Sequence, residues 1–132
     1  MTTSNLLKLG VAGICLVMIG CERDVSYSDD IQPILEASCN QCHDKAAEGE
    51  AVSGLSLKTY DDLMGGTQYG KVVVPGSAMS SALYLTVAGK TAPEIRMPPH
   101  HDESFAQGKG AQLSAHQIEL IERWINAGAP NN

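Results

Sequence analysis

Large apolar side chains are scarce in this chain: aromatic residues make up 5% of it, with one Trp and one Phe. A small domain of that kind buries only a modest core from its own side chains. Bases are also few, 9 Lys and Arg against 15 Asp and Glu, for a formal net charge of −6. That balance argues against a nucleic-acid partner, which needs a basic surface. It suits a basic docking partner, although solubility alone would also explain it. Long apolar runs are missing too. The one candidate, Leu9 to Ile19, falls short of the roughly 20 residues of a spanning helix. At 132 residues the chain holds one small domain at most, and neither a repeat nor a second domain is visible.

What the chain does have is Cys39-Asn40-Gln41-Cys42-His43, a C-x-x-C-H stretch with the spacing of a c-type haem attachment site. On a helix, positions three and four apart share a face, so Cys39, Cys42 and His43 can all point to one side. Two thiols can then bond the vinyl carbons of a haem while the imidazole reaches the iron, for which a proximal His is a standard ligand. Two other chemistries use a Cys-x-x-Cys pair. A redox-active pair wants a βαβ setting, which the surrounding sequence lacks. A zinc site needs a second pair of ligands at matched spacing, and there is no second Cys pair. The motif therefore predicts one haem c, covalently held through Cys39 and Cys42. Such a group would also supply the missing apolar mass, since a ligand of the folded state stabilises it.

Residues 1–20 read as a signal peptide: Lys8 is their only charge, the apolar run follows it, and small Gly20 closes the segment. Met18-Ile19-Gly20-Cys21 then resembles a bacterial lipobox, with Met in place of the usual Leu, and makes Cys21 the expected lipidation site. Cysteine counting agrees. Cys15 leaves with the signal, the haem takes Cys39 and Cys42, and the odd cysteine of an exported protein requires an explanation. The expected location is the periplasmic side of a bacterial membrane. Glu22 after the Cys, by resemblance to lipoprotein sorting in enteric bacteria, favours the outer membrane. Ordinary signal cleavage, leaving Cys21 a free thiol, is the alternative.

Residues 21–27 read as a polar linker reaching roughly 20 Å, which would hold a lipidated domain close to its membrane. The domain itself is expected over 28–130. Ser28 or Asp30 can cap a first helix, with Pro33 in its first turn and Ile31, Ile34 and Leu35 on one face leading into Cys39. Asp44 to Ser53 lacks periodicity and reads as a surface loop. Thr59 with Asp62 resembles a capping box for a short helix ended by Gly65-Gly66. Ser77 can cap another, carrying Met79, Leu83 and Val87 and stopped by Gly89. The polar segment from Pro99 to Gln112 reads as an exposed loop. Ser114 and Gln117 form a capping box before the clearest helix, with Ile118, Ile121, Trp124 and Ile125 in one stripe and Gly128 and Pro130 at its end.

The face of the iron opposite His43 has three candidate ligands: Met97, Met79 and the pair His100-His101. Met97 is preferred because Pro98 and Pro99 follow it, fix the local φ and remove two backbone donors, giving a stiff loop for a thioether. Met79 belongs to an amphipathic stretch, where methionine is more often packing. The two histidines lie among polar residues. A thioether ligand raises the reduction potential and blocks exogenous ligands, and both properties suit an electron carrier.

These motifs resemble a class I monohaem c-type cytochrome, and more narrowly the planctomycete-type cytochrome c domain. The resemblance is carried by residues 30–35, Gly54-Leu55-Ser56-Leu57, Val74-Pro75-Gly76, Ser81-Ala82-Leu83-Tyr84, Met97-Pro98-Pro99 and residues 124–130, together with the haem motif. It implies an all-α, cytochrome c-like fold of about four or five short helices around one covalent haem. It also implies Cys39 and Cys42 as thioether anchors, His43 as proximal ligand and Met97 as distal ligand. The expected function is single-electron transfer between redox protein partners, without enzymatic chemistry. Two other readings stand beside it. One is a haem-based sensor or peroxidase-like protein with a labile sixth ligand, for which His100 or His101 would be the acid–base group. The other is a docking subunit of a larger redox complex.

Overall fold

Helical structure begins at Ser26, whose Oγ accepts the Asp29 N–H at 3.3 Å. Ser28 and Asp30, the two caps expected from the sequence, are not used in that role. Asp30 is engaged elsewhere: its carboxylate accepts two bonds from the Arg23 guanidinium, at 2.6 and 2.9 Å, and the Ser26 N–H at 2.8 Å. A π-turn spans Tyr27–Ile31 and tightens into α1, Gln32–Ser38. Pro33 lies in the first turn of α1, where a missing N–H is tolerated. The computed structural model describes residues 23–99 and 112–132. The signal segment, Cys21 and the pair His100-His101 lie outside the described residues.

Among the described residues the chain is all-α. The described residues form six short helices, with the π-turn and two 3₁₀ turns. After α1 come α2 (Asn40–His43), α3 (Glu48–Ser53), α4 (Tyr60–Gly65), α5 (Ala82–Val87) and α6 (Ala115–Asn126). The 3₁₀ turns are Ala78–Ser80 and Pro93–Ile95. No described helix is long and apolar enough to cross a membrane.

The few aromatics are concentrated where they matter. Tyr27 meets Tyr60 edge-on at 5.1 Å between centroids and lies 5.7 Å from the Trp124 ring, arrangements worth ~0.5–1.5 kcal/mol each beyond area burial. Trp124 Nε1 donates to Pro130 O at 2.9 Å and Tyr60 Oη to Ala129 O at 2.8 Å. Both polar tips thereby pin the segment that follows α6. Ile31, Leu35, Leu63, Ile121 and Ile125 complete this core, each 1% exposed or less. The capping box of α6 is present in both directions: Ser114 Oγ accepts the Gln117 N–H and Gln117 Oε1 accepts the Ser114 N–H.

Three further expectations are corrected. Residues 21–27 are not a free linker from Arg23 onwards. Val25 and Tyr27 are buried, and Arg123 Nη2 donates to Arg23 O at 3.2 Å. Two apolar residues two apart make too short a pattern to read as packing. The stretch 44–53 is not loop throughout, because α3 occupies its second half and ends at Gly54 with φ 74°. Finally, the helix drawn from Ser77 to Gly89 is divided at Ser81, which is fully buried. Its Oγ donates to Ser77 O at 2.8 Å and accepts the Val74 N–H at 2.9 Å. These bonds hold the turn before α5, and they leave Met79 61% exposed while Leu83 is buried.

Candidate functional site

The helix leading into the motif breaks at its first cysteine. Cys39 has φ −126° and ψ −40°, which separates α1 from the single turn of α2. Cys39 O nevertheless accepts the N–H groups of both Cys42 and His43, at 3.1 and 3.0 Å. The turn is thus closed as an i, i+3, i+4 unit, and the shared face predicted from spacing is preserved across the kink.

Cys39, Cys42 and His43 line one cavity of about 550 Å³, within the ~300–1,000 Å³ range of cofactor and ligand sites. Helix α3 contributes Gly49, Val52 and Ser53 to its walls, α5 contributes Leu83 and Val87, and the segment between contributes Leu55 and Leu57. Met97, Pro98 and Pro99 reach the same cavity from a separate loop. That loop is tied to α5 by the Met97 N–H, which donates to Thr86 O at 3.3 Å, and Pro98 is buried. Met79 does not line the cavity and is largely exposed.

His43 is held on two sides. Its carbonyl accepts the Leu57 N–H at 2.7 Å, and its Nδ1 lies 3.3 Å from Leu55 O. A carbonyl only accepts, so the proton of the neutral ring sits on Nδ1 and the lone pair on Nε2. That tautomer leaves Nε2 available as a metal ligand, and the bond to a carbonyl raises its basicity. Against the ring lies Gly49. A Cβ there would sit 2.7 Å from Cys42 O, 3.0 Å from His43 Cε1 and 3.2 Å from His43 Nδ1.

Both thiols are free. Burial, with Cys42 close by, pushes the Cys39 thiol up to about 11, so it stays protonated at neutral pH. A redox-active pair depends on a lowered thiol pKa, so the environment of Cys39 disfavours that reading. Among the described residues no group of three or more His, Cys, Asp or Glu is placed to hold a metal ion. Two thiols, one tautomer-fixed imidazole and a thioether converging on an apolar cavity fit a haem c.

Sequence reasoning brought Cys39, Cys42, His43 and Met97 to this cavity and missed Gly49, Ser53 and the Leu55 carbonyl. The last could not be found from residue type, since a backbone acceptor leaves no mark in the side chain. Gly49 stood in a stretch without periodicity, where a glycine reads as a turn residue.

Residues 39–101 match the family model described as Planctomycete cytochrome C. The match opens at the first cysteine of the motif and runs past Met97-Pro98-Pro99. No curated protein and no solved structure matches the chain.

Proposed function

We propose that the protein, whose residues 39–101 match the family model described as Planctomycete cytochrome C, is a monohaem electron carrier with His43 and Met97 as axial ligands. The observation that carries this reading is the convergence of Cys39, Cys42, His43 and Met97 on one apolar cavity. When bound, a haem c supplies an iron that alternates between ferrous and ferric. The chain does the rest. Cys39 and Cys42 fix the group by thioether bonds, His43 presents Nε2, and the Met97-Pro98-Pro99 loop brings a thioether on a segment braced by α5. Leu55, Leu57, Leu83 and Val87 exclude water from the surroundings.

A lipid on Cys21 would anchor the protein on the periplasmic side of a bacterial membrane, where redox proteins serve as donor and acceptor. Since packing begins at Arg23 and Val25, Glu22 alone would separate the lipidated residue from the folded domain. The acidic surface suits partners with a basic docking face.

A redox titration of the purified protein, followed spectroscopically, together with its intact mass tests the proposal. The expected outcome is a one-electron transition, a mass increment for one haem, and a second increment for acyl chains. A colourless product would sink the haem reading. Rapid CO binding by the reduced wild-type protein would show an open sixth position and favour the sensor or peroxidase-like alternative.

A further inference from the structure

Helix α3 is more than a wall of the cavity. Ser53, its last residue, has an Oγ that donates to Gly49 O at 2.6 Å and accepts the Leu55 N–H at 3.2 Å. A serine bonding to the carbonyl four residues back is by itself a common local feature of helices. Here the same oxygen also holds the residue that partners His43. Gly54, at φ 74°, turns the chain back so that Leu55 can be reached, in a region of φ open chiefly to glycine. On the other side of Leu55 the Leu57 N–H bonds His43 O at 2.7 Å. The Leu55 carbonyl that accepts from His43 Nδ1 is thus fixed from both directions. Gly49, the residue that Ser53 holds, lies directly against the Nδ1–Cε1 edge of the ring, with no room for a Cβ.

We propose that Ser53 and Gly49 are positioning residues for His43: the Ser53 hydroxyl aims the Leu55 carbonyl, and Gly49 lets the α3 backbone cover the Nδ1–H···O bond against water. The proposal rests on His43 being an iron ligand. Its consequence is electronic as well as geometric. A protected bond from Nδ1–H to a carbonyl makes the imidazole a stronger donor, which favours ferric iron and lowers the reduction potential. Loosening that bond raises the potential.

The test uses the reduced, diamagnetic holoprotein and reads the exchange rate of the His43 Nδ1 proton by NMR, with the midpoint potential of the same samples. In Ser53→Ala the exchange is expected to rise roughly fivefold, the loss of one ordinary hydrogen bond, and the potential to rise. Ser53→Thr keeps the hydroxyl and should restore both. Gly49→Ala should accelerate exchange of the same proton, while Gly65→Ala, whose Cβ meets nothing within 4 Å, should leave it unmoved. A haem-loaded Ser53→Ala protein with wild-type exchange and potential would overturn the proposal, as would failure of Thr to restore either. If Ser53→Ala takes up no haem, loading of Ser53→Thr supports the role of the hydroxyl and its failure overturns it. The pyridine haemochrome of each sample reports separately whether a haem c is attached and so tests the reading beneath.

Discussion

Around Trp124 the chain is packed dry, with Ile31, Ile121, Trp124 and Ile125 all at 0% exposure. Around His43, where Leu57, Val72 and Leu83 are buried, hydrogen bonds supply much of the order. His43, Cys39 and Cys42 are only partly buried, Val52 is 71% exposed and Met97 36%. One side is an aromatic and aliphatic core closed by α6 and the π-turn. The other is a set of short segments, α2, α3 and the Met97 loop, braced through backbone groups and turned towards a shared apolar cavity. A chain poor in aromatics puts its one Trp and two of its tyrosines where no cofactor is needed. It leaves the cavity beside His43 as the space a haem would fill, since a cavity lined by apolar side chains gains from any apolar surface that fills it.

The sharpest way to break that contrast is to remove its anchor. Trp124→Ala takes away a fully buried ring, its contacts with Tyr27 and Tyr60, and the bond to Pro130 O. It should destabilise the protein by ~3–5 kcal/mol, read as a lower denaturant midpoint at unchanged slope. A loss under ~1 kcal/mol would mean that the aromatic cluster is not the frame of the fold.

Next in size is the response of the cavity side to haem. Native-state hydrogen exchange on apo and holo protein should show α3 and the Met97 loop gaining protection by roughly 100-fold, which corresponds to about 2.7 kcal/mol. Amides of α6 should change less. Equal gains everywhere would show that the two sides unfold as one unit and that the contrast is static only.

How much of this could be read in the sequence follows the same division. The Trp124 side was legible because a capping box and a 3.6-residue stripe are local signals, and Ser114, Gln117, Ile121, Trp124 and Ile125 behave as written. The motif was legible because its spacing is chemistry. The supporting contacts were not: Ser53 to Leu55, Leu55 to His43 and Gly49 to the ring depend on where the backbone turns, and Gly54 sets that turn. Ser81 illustrates the same point. It lies inside the stripe of Met79, Leu83 and Val87, and its bonds to Val74 and Ser77 divide that stripe and leave Met79 exposed.

Met97→Ala probes the cavity side functionally and at smaller cost. The side chain is 36% exposed, so truncation should cost only about 1 kcal/mol in stability. The site should nevertheless change markedly, binding CO in the reduced state where the wild type does not, with a lower potential. Unchanged spectra and potential would exclude Met97 as the ligand and send the search to the histidines at 100 and 101.

The smallest expected effect lies back on the Trp124 side, in the ion pair that ties the chain before the π-turn. The Arg23 guanidinium, followed by the Ser26 N–H, holds the Asp30 carboxyl below the ordinary aspartate range. A group depressed in the folded state adds stability above its unfolded value, near 3.9 for aspartate. That contribution is lost as pH falls through the lower folded value. Wild-type stability should therefore decline on acidification below about pH 5, and Asp30→Asn should flatten part of that decline. The remainder belongs to other depressed carboxyls, among them Asp44, held by the Lys45 N–H and by Lys58, and Asp62, held chiefly by Thr59. At neutral pH the same variant should cost under ~1 kcal/mol, because Arg23 is 67% exposed and water screens the pair. A variant whose stability falls as steeply as the wild type between pH 5 and 3 would show that Asp30 binds its proton alike in the folded and unfolded chain. The entry to the π-turn would then be held by Val25 and Tyr27 in the core, without help from the ion pair.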